Sequence, residues 1–261
     1  MKALHMITAD SGRTAGIVGF GAEDHFISIS PSIDPSFKDS GCNEFPSSAD
    51  GVTTDQATCL SKSFIWLHGN FAPDVDNTWA ALIGPGVRNK GVDSRTWADH
   101  TDLRPTLMTL TCLADNYTHE GRTLVEDLQD SALPATLGHN GLDAFIEAGQ
   151  VFKQINAPVG AFGQAAISIS TIAIKSNNDA MYGGLEQALT DLVSARDAVA
   201  GPLAQRLDAA ATCDSTSPPH ARPSDPNLTG TLRAAAAQGR VVLGRIQRES
   251  DQADSAAAGR H

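Results

Sequence analysis

No run of this sequence approaches the 18 or so apolar residues that a membrane-crossing helix needs, so no segment is expected to span a bilayer. The first twenty residues carry Lys2, Asp10 and Arg13 and no apolar h-region, which argues against a signal peptide. Clustered Lys and Arg are also missing. The 30 acidic residues outnumber the 19 basic ones and leave a formal net charge of −11. The acidity belongs to the first half: residues 1–130 hold 18 acids and 9 bases, residues 131–261 only 12 and 10. A nucleic-acid partner is therefore not expected. No CxxC pair occurs among the four cysteines, so zinc-finger and dithiol redox motifs have no support. Cys42 and Cys59 flank a polar loop that a disulfide would close, worth about 3 kcal/mol by loop entropy. Cys112 falls on the apolar face of a helix and reads as a small buried hydrophobe. Cys213 precedes a Pro-rich stretch. Four free thiols in a reducing compartment is the alternative reading. No internal repeat is present.

With 261 residues, 41 % of them hydrophobic, the chain can build one large domain or two small ones. Residues 3–8 (ALHMIT), 17–20 and 25–30 (HFISIS) read as short strands. Residues 31–60 are polar and aperiodic, a long loop or hairpin excursion. Residues 64–67 and 79–83 are apolar runs bounded by Gly and Pro, which suits strands buried on both faces. Thr101-Asp102 then opens a helix in which Leu103, Leu107, Leu110 and Leu113 follow at helical spacing.

Beyond Glu126 the period changes. Leu142, Phe145, Ile146, Phe152 and Ile155 form a helical stripe that Pro158 breaks. Residues 161–174 suit a buried helix, with a strand as runner-up because of the β-branched Ile. Leu185, Leu189, Leu192, Val193, Val199, Leu203 and Leu207 make the clearest amphipathic pattern, which Gly201-Pro202 is expected to kink or break. Residues 213–227 (CDSTSPPHARPSDPN) read as a linker, 228–246 as an Ala-rich helix, and 247–261 as a fraying end without an apolar face. The expected architecture is thus α/β over residues 1–130, a helical region over 139–250 with its linker at 213–227, and a flexible tail over 251–261.

Three features of residues 64–126 carry a resemblance. His68-Gly69 ends an apolar run. A second run ends in Gly84-Pro85-Gly86. The segment DHTDLRPTLMTLTCL then opens a helix with an Asp and closes on the turn His119–Arg122. This stretch resembles the C-terminal part of the catalytic domain in the alkaline phosphatase superfamily of phosphatases, nucleotide pyrophosphatases/phosphodiesterases and sulfatases. The resemblance implies a partial sheet of that type. It also implies ester hydrolysis by a Thr, Ser or modified Cys beside one or two divalent ions, zinc being the expected metal. Many relatives are extracytoplasmic, which would favour the Cys42–Cys59 bridge.

Candidate metal ligands follow from the same resemblance. His68 resembles the last metal-binding His of the pyrophosphatase/phosphodiesterase branch, or the second half of a DHGN pattern whose Asp position here holds Leu67. A loop His bonded to backbone is the alternative. Asp99-His100-Thr101 is the second candidate: its His-Thr pair resembles a ligand position of several branches, although the pair follows the GPG run here and precedes it in the family. A helix capped by Asp99 or Thr101, with His100 half exposed, is the plain reading. Asp74 and Asp76 suit either a cation or solvent. No chemistry is assigned to Tyr117, His119 or Arg122. The family's nucleophile and first metal Asp have no counterpart in this sequence. The expectation is therefore a fragment or degenerate relative of a hydrolase, inactive alone and in need of an N-terminal half. The alternative is a non-catalytic interaction protein that uses its helical half and an exposed sheet edge.

Overall fold

The computed structural model describes residues 2–7, 73–134, 136–212 and 227–259, with positions 12, 14, 18, 20 and 71. The chain divides into two compact units, Met1–Gly16 with Ala81–His261, and Ile17–Ala80. Of the second unit the description covers one helical turn, α1 (Pro73–Asp76), and an edge-on contact of the Phe20 and Phe71 rings with centroids 4.4 Å apart. The strands expected at 25–30 and 64–67, the loop at 31–60, Ile17 and Gly19 of the strand expected at 17–20, and residues 213–226 of the linker lie outside the described residues.

The expected α/β layer is overturned. Among the described residues there is no strand, only an isolated antiparallel bridge between Val87 and Leu128, and the fold is mainly α-helical. The run at 79–83 forms no regular element, and its Trp and Ile side chains are uncovered. Trp79 is 86 % exposed and Ile83 94 % exposed. The described part of the run at 3–8, residues 3–7, is not a strand either. Lys2–Leu4 form a 3-10 turn with Ala3 buried. That turn is held because Arg196, buried against the Phe162 ring, donates from Nη1 to the Ala3 carbonyl at 3.1 Å, while Lys2 pairs with Asp197 at 3.0 Å.

Four long helices form the body: α3 (Gly138–Asn156), α4 (Ala161–Lys175), α5 (Asp179–Ala211) and α6 (Leu228–Ala258). The stripe on α3 works as its spacing predicts, with Phe145, Phe152 and Ile155 buried and Leu142 and Ile146 packed beside them. Residues 161–175 are helical rather than extended. The turn before α4 admits only Gly at 163, where a Cβ would lie 1.9 Å from the Pro158 carbonyl oxygen. Asn178 caps α5 by accepting from the Met181 amide at 3.0 Å.

Two helix ends differ from expectation. α5 runs through Gly201-Pro202 without stopping. Ala200, Leu203 and Leu207 are buried on both sides of the proline, and that packing outweighs the one backbone bond it removes. α6 continues past residue 246 to Ala258, because the small residues Ser250 and Ala253 are themselves buried. One core lies among α3, the end of α5 and the start of α6. A second lies among α4, the start of α5 and the end of α6. Val199 and Leu243 pack against both. Gly141–Lys175 is the one stretch among the described residues long and apolar enough to cross a membrane, but here it is two helices contributing to these cores.

A candidate site at the DHTD turn

Asp99, His100, Thr101 and Asp102 lead into α2 (Leu103–Thr111) through a 3-10 turn, His100–Asp102. Asp99 and Asp102 form a capping box. The Asp99 carboxylate accepts from the Thr101 amide at 2.8 Å and its hydroxyl at 2.5 Å, and Asp102 accepts from the Asp99 amide at 2.9 Å. Two amides of the turn thereby find side-chain acceptors.

The same carboxylates hold Lys153, which reaches across from α3. Its Nζ lies 2.9 Å from Asp99 Oδ2, 3.0 Å from Asp102 Oδ1 and 2.8 Å from Thr101 Oγ1, with the Trp97 ring 5.8 Å away. Lys153 and Asp102 are fully buried. Asp102 Oδ1 also accepts from the Arg122 amide at 2.8 Å. The Arg122 guanidinium makes a two-pronged pair with Glu126 at 2.9 and 2.6 Å. Gly149 leaves the room for it, since a Cβ there would come within 2.5 Å of Arg122 Cδ. Burial makes this network costly to break, because each charge depends on its partner.

The leucines of α2 do not form its inner face. The helix buries Pro105, Thr106 and Thr109, while Leu107 and Leu113 are exposed. Thr106 Oγ1 donates to the Asp102 carbonyl at 2.7 Å and accepts from the Leu124 amide at 2.9 Å. Thr109 Oγ1 lies 3.0 Å from Thr123 Oγ1 and 3.2 Å from the Ala211 carbonyl, tying α2 to the end of α5. Cys112 is not a buried hydrophobe. It is half-buried, caps α2 in the left-handed region at φ 51°, and is disulfide-bonded to a cysteine outside the described residues.

Residues 84–98 form an anchored loop. Gly86, at φ +82°, offers its carbonyl to the Gln129 amide at 2.7 Å, and the Arg88 amide donates to Asp127 O at 2.8 Å. Lys90 bridges Asp93 at 2.8 Å and Asp127 at 3.1 Å. Asp93 also accepts from the Arg95 and Thr96 amides. The Lys90 ammonium first, then these amides, holds the Asp93 carboxyl well below the usual carboxylate range. Bonding to Asp93 raises the Lys90 pKa in turn. Val92, between the anchors, is 96 % exposed.

Of the sequence-predicted ligands, Asp99 and His100 share one turn. Asp99 is committed to Thr101 and Lys153, and His100 is exposed with its backbone carbonyl accepting from the Leu103 amide. His68 lies outside the described residues. Among the described residues no group of three His, Cys, Asp or Glu side chains is placed to hold a metal ion. The residues that sequence reasoning missed are Lys153, Arg122 and Glu126. Lys153 had a visible signal, a lysine eight residues after Phe145 and so on the same face of the apolar stripe. No protein-family model, curated protein or solved structure matches the chain.

Proposed function

We propose that the chain acts without catalysis, as an interaction protein related to the metal-dependent phosphoester and sulfoester hydrolases whose motifs it carries. The observation that carries this reading is the use made of the DHTD turn. Both carboxylates that a metal would need are spent on the helix cap and on the buried ammonium of Lys153. A cation entering there would have to displace the fully buried Lys153. The exposed side chains of Ile83 and Val92, on a loop pinned at Gly86, Arg88 and Lys90, give such a protein an apolar surface for a partner polypeptide.

The test is turnover. The purified chain with zinc is expected to hydrolyse p-nitrophenyl phosphate, bis(p-nitrophenyl) phosphate and p-nitrophenyl sulfate no faster than its His68→Ala variant. Equilibrium dialysis is expected to show no stoichiometric zinc. Metal-dependent turnover lost in His68→Ala would overturn the reading and restore the hydrolase.

A further inference from the structure

We propose that the cleft between the end of α2 and the end of α5 binds a small organic cation, a primary ammonium on a body about the size of one ring. Such a site is independent of the proposed function. Met108, Leu113, Tyr117 and His119 line the cleft from α2 and the turn after it, and Asp208 lines it from α5. Leu113 and Tyr117 are both exposed, so their apolar surface is open to a ligand. The cleft holds about 190 Å³. A cavity of about 150 Å³ takes up benzene, so one ring with a short arm fits.

The polar groups decide the charge of the ligand. The Asp208 carbonyl accepts from the Thr212 amide at 2.8 Å and from its hydroxyl at 2.7 Å. The Asp208 carboxylate, by contrast, has no hydrogen bond or ion pair among the described residues. The His119 side chain is 10 % exposed, with Nε2 3.2 Å from Asp115 Oδ1. That carboxylate favours the tautomer with the proton on Nε2, which leaves Nδ1 as an acceptor. Nδ1 has no partner of its own among the described residues. Both uncommitted groups are thus acceptors, and one is an anion.

Other ligand classes fit poorly. No Lys or Arg lines the cleft. Arg104 beside it is already engaged, its Nε donating to Asp115 Oδ2 at 3.1 Å and its guanidinium lying 4.8 Å from the Tyr117 ring centroid. A phosphate or carboxylate would therefore meet Asp208 with no cation to offset it. A bare metal ion fares no better, since no group of three His, Cys, Asp or Glu side chains among the described residues is placed to hold one. An ammonium has three donors and no acceptor, which matches Asp208 and His119, while its carbon body lies against Met108 and Leu113.

Benzylammonium chloride is the probe, titrated into the full chain and followed by amide NMR shifts and calorimetry. Benzyl alcohol and benzoate, which keep the ring and change the charge, are the comparison ligands. Benzylammonium is expected to bind saturably, with shifts centred on residues 105–123 and 208–212. Benzyl alcohol should bind about tenfold more weakly, and benzoate should not bind. Asp208→Asn alters an exposed side chain, so circular dichroism and the melting temperature should be unchanged. Its affinity for benzylammonium should nevertheless fall about tenfold. Asp191→Asn, at an exposed carboxylate of α5 outside this cleft, should leave the affinity as it was. Leu113→Ala should weaken benzylammonium and benzyl alcohol alike. The assignment is overturned by no saturation below about 20 mM benzylammonium. Equal binding of the three ligands, or equal affinities in Asp208→Asn and Asp191→Asn, would overturn it as well.

Discussion

Lys153 shows how a single side chain fixes a contact. Its ammonium is fully buried and neutralises Asp102, also fully buried, while sharing Asp99. Replacing it by Met keeps the stem's volume but strands the Asp102 carboxylate. Removing one partner of such a pair costs about 3–5 kcal/mol. Lys153→Met is therefore expected to lower the urea-unfolding free energy by that amount. A loss under about 1 kcal/mol would mean that water reaches the pair. Asp93 makes a different, pH-dependent prediction. Its folded pKa is depressed below 3.8 by Lys90 and by the Arg95 and Thr96 amides. The group's contribution is thus complete above the unfolded value and is lost as pH falls toward the folded one. The loop should tighten its hold on Asp127 at neutral pH and loosen in acid below about pH 4. Relative to the intrinsic rate at each pH, hydrogen exchange at the Arg95 and Thr96 amides should rise over that acid range in the native chain. In Asp93→Asn it should already be high at pH 7. Exchange that is slow and equal in both proteins at pH 7 would exclude the anchor.

At the scale of the element, α5 carries a defect that can be removed. Pro202 sits mid-helix and exposed, with no amide to give the exposed Ala198 carbonyl one turn back. The interior of a helix disfavours Pro by about 3 kcal/mol relative to Ala. Nothing packs on this residue to offset the change, so Pro202→Ala should stabilise the protein by about 1–3 kcal/mol, seen as a higher melting temperature. A lower one would mean that the proline shapes the helix to fit both cores. The same elements show what the sequence carried. The stripe of α3 was legible because Phe145, Phe152 and Ile155 are large and bury where the spacing puts them. α2 misled because its threonines, each with a backbone bond one turn back, take the inner face and turn Leu107 outward. The end of α6 misled because Ser250 and Ala253 bury without looking hydrophobic. The strand expected at 79–83 failed because a strand needs a neighbour, which no local run of residues guarantees. At the site, four consecutive letters offered Asp99, Thr101 and Asp102 as caps, and the structure gives the role to Asp99. Its pairing with Lys153, more than fifty residues away, was not, since it depends on how α2 docks on α3.

For the body as a whole, α6 decides how many pieces the protein unfolds in. Leu232, Ala235 and Ala236 at its start belong to the core with α3, while Val242, Ile246 and Ala253 belong to the core with α4. Val199 on α5 and Leu243 on α6 touch both cores, and Gly239 between them lets α3 approach so closely that a Cβ would meet Val151 Cγ1 at 2.4 Å. A rigid helix common to two cores couples them, because neither half can lose its packing without exposing the other's face of α6. Leu232→Ala and Ile246→Ala each delete a fully buried side chain, and such deletions cost about 2–5 kcal/mol. If the cores are coupled, each variant should shift one and the same helix-melting transition, by far-UV circular dichroism, with no second step left at the native temperature. Independent cores would instead give two transitions, Leu232→Ala lowering one and Ile246→Ala the other. Gly239→Ala sharpens the test. Its helix propensity gains about 1 kcal/mol over Gly, yet forcing α3 away from α6 costs about 1–3 kcal/mol. The net change should be destabilising and should lower that single transition, whereas Gly184→Ala and Gly230→Ala, where a Cβ meets nothing within 4 Å, should raise it.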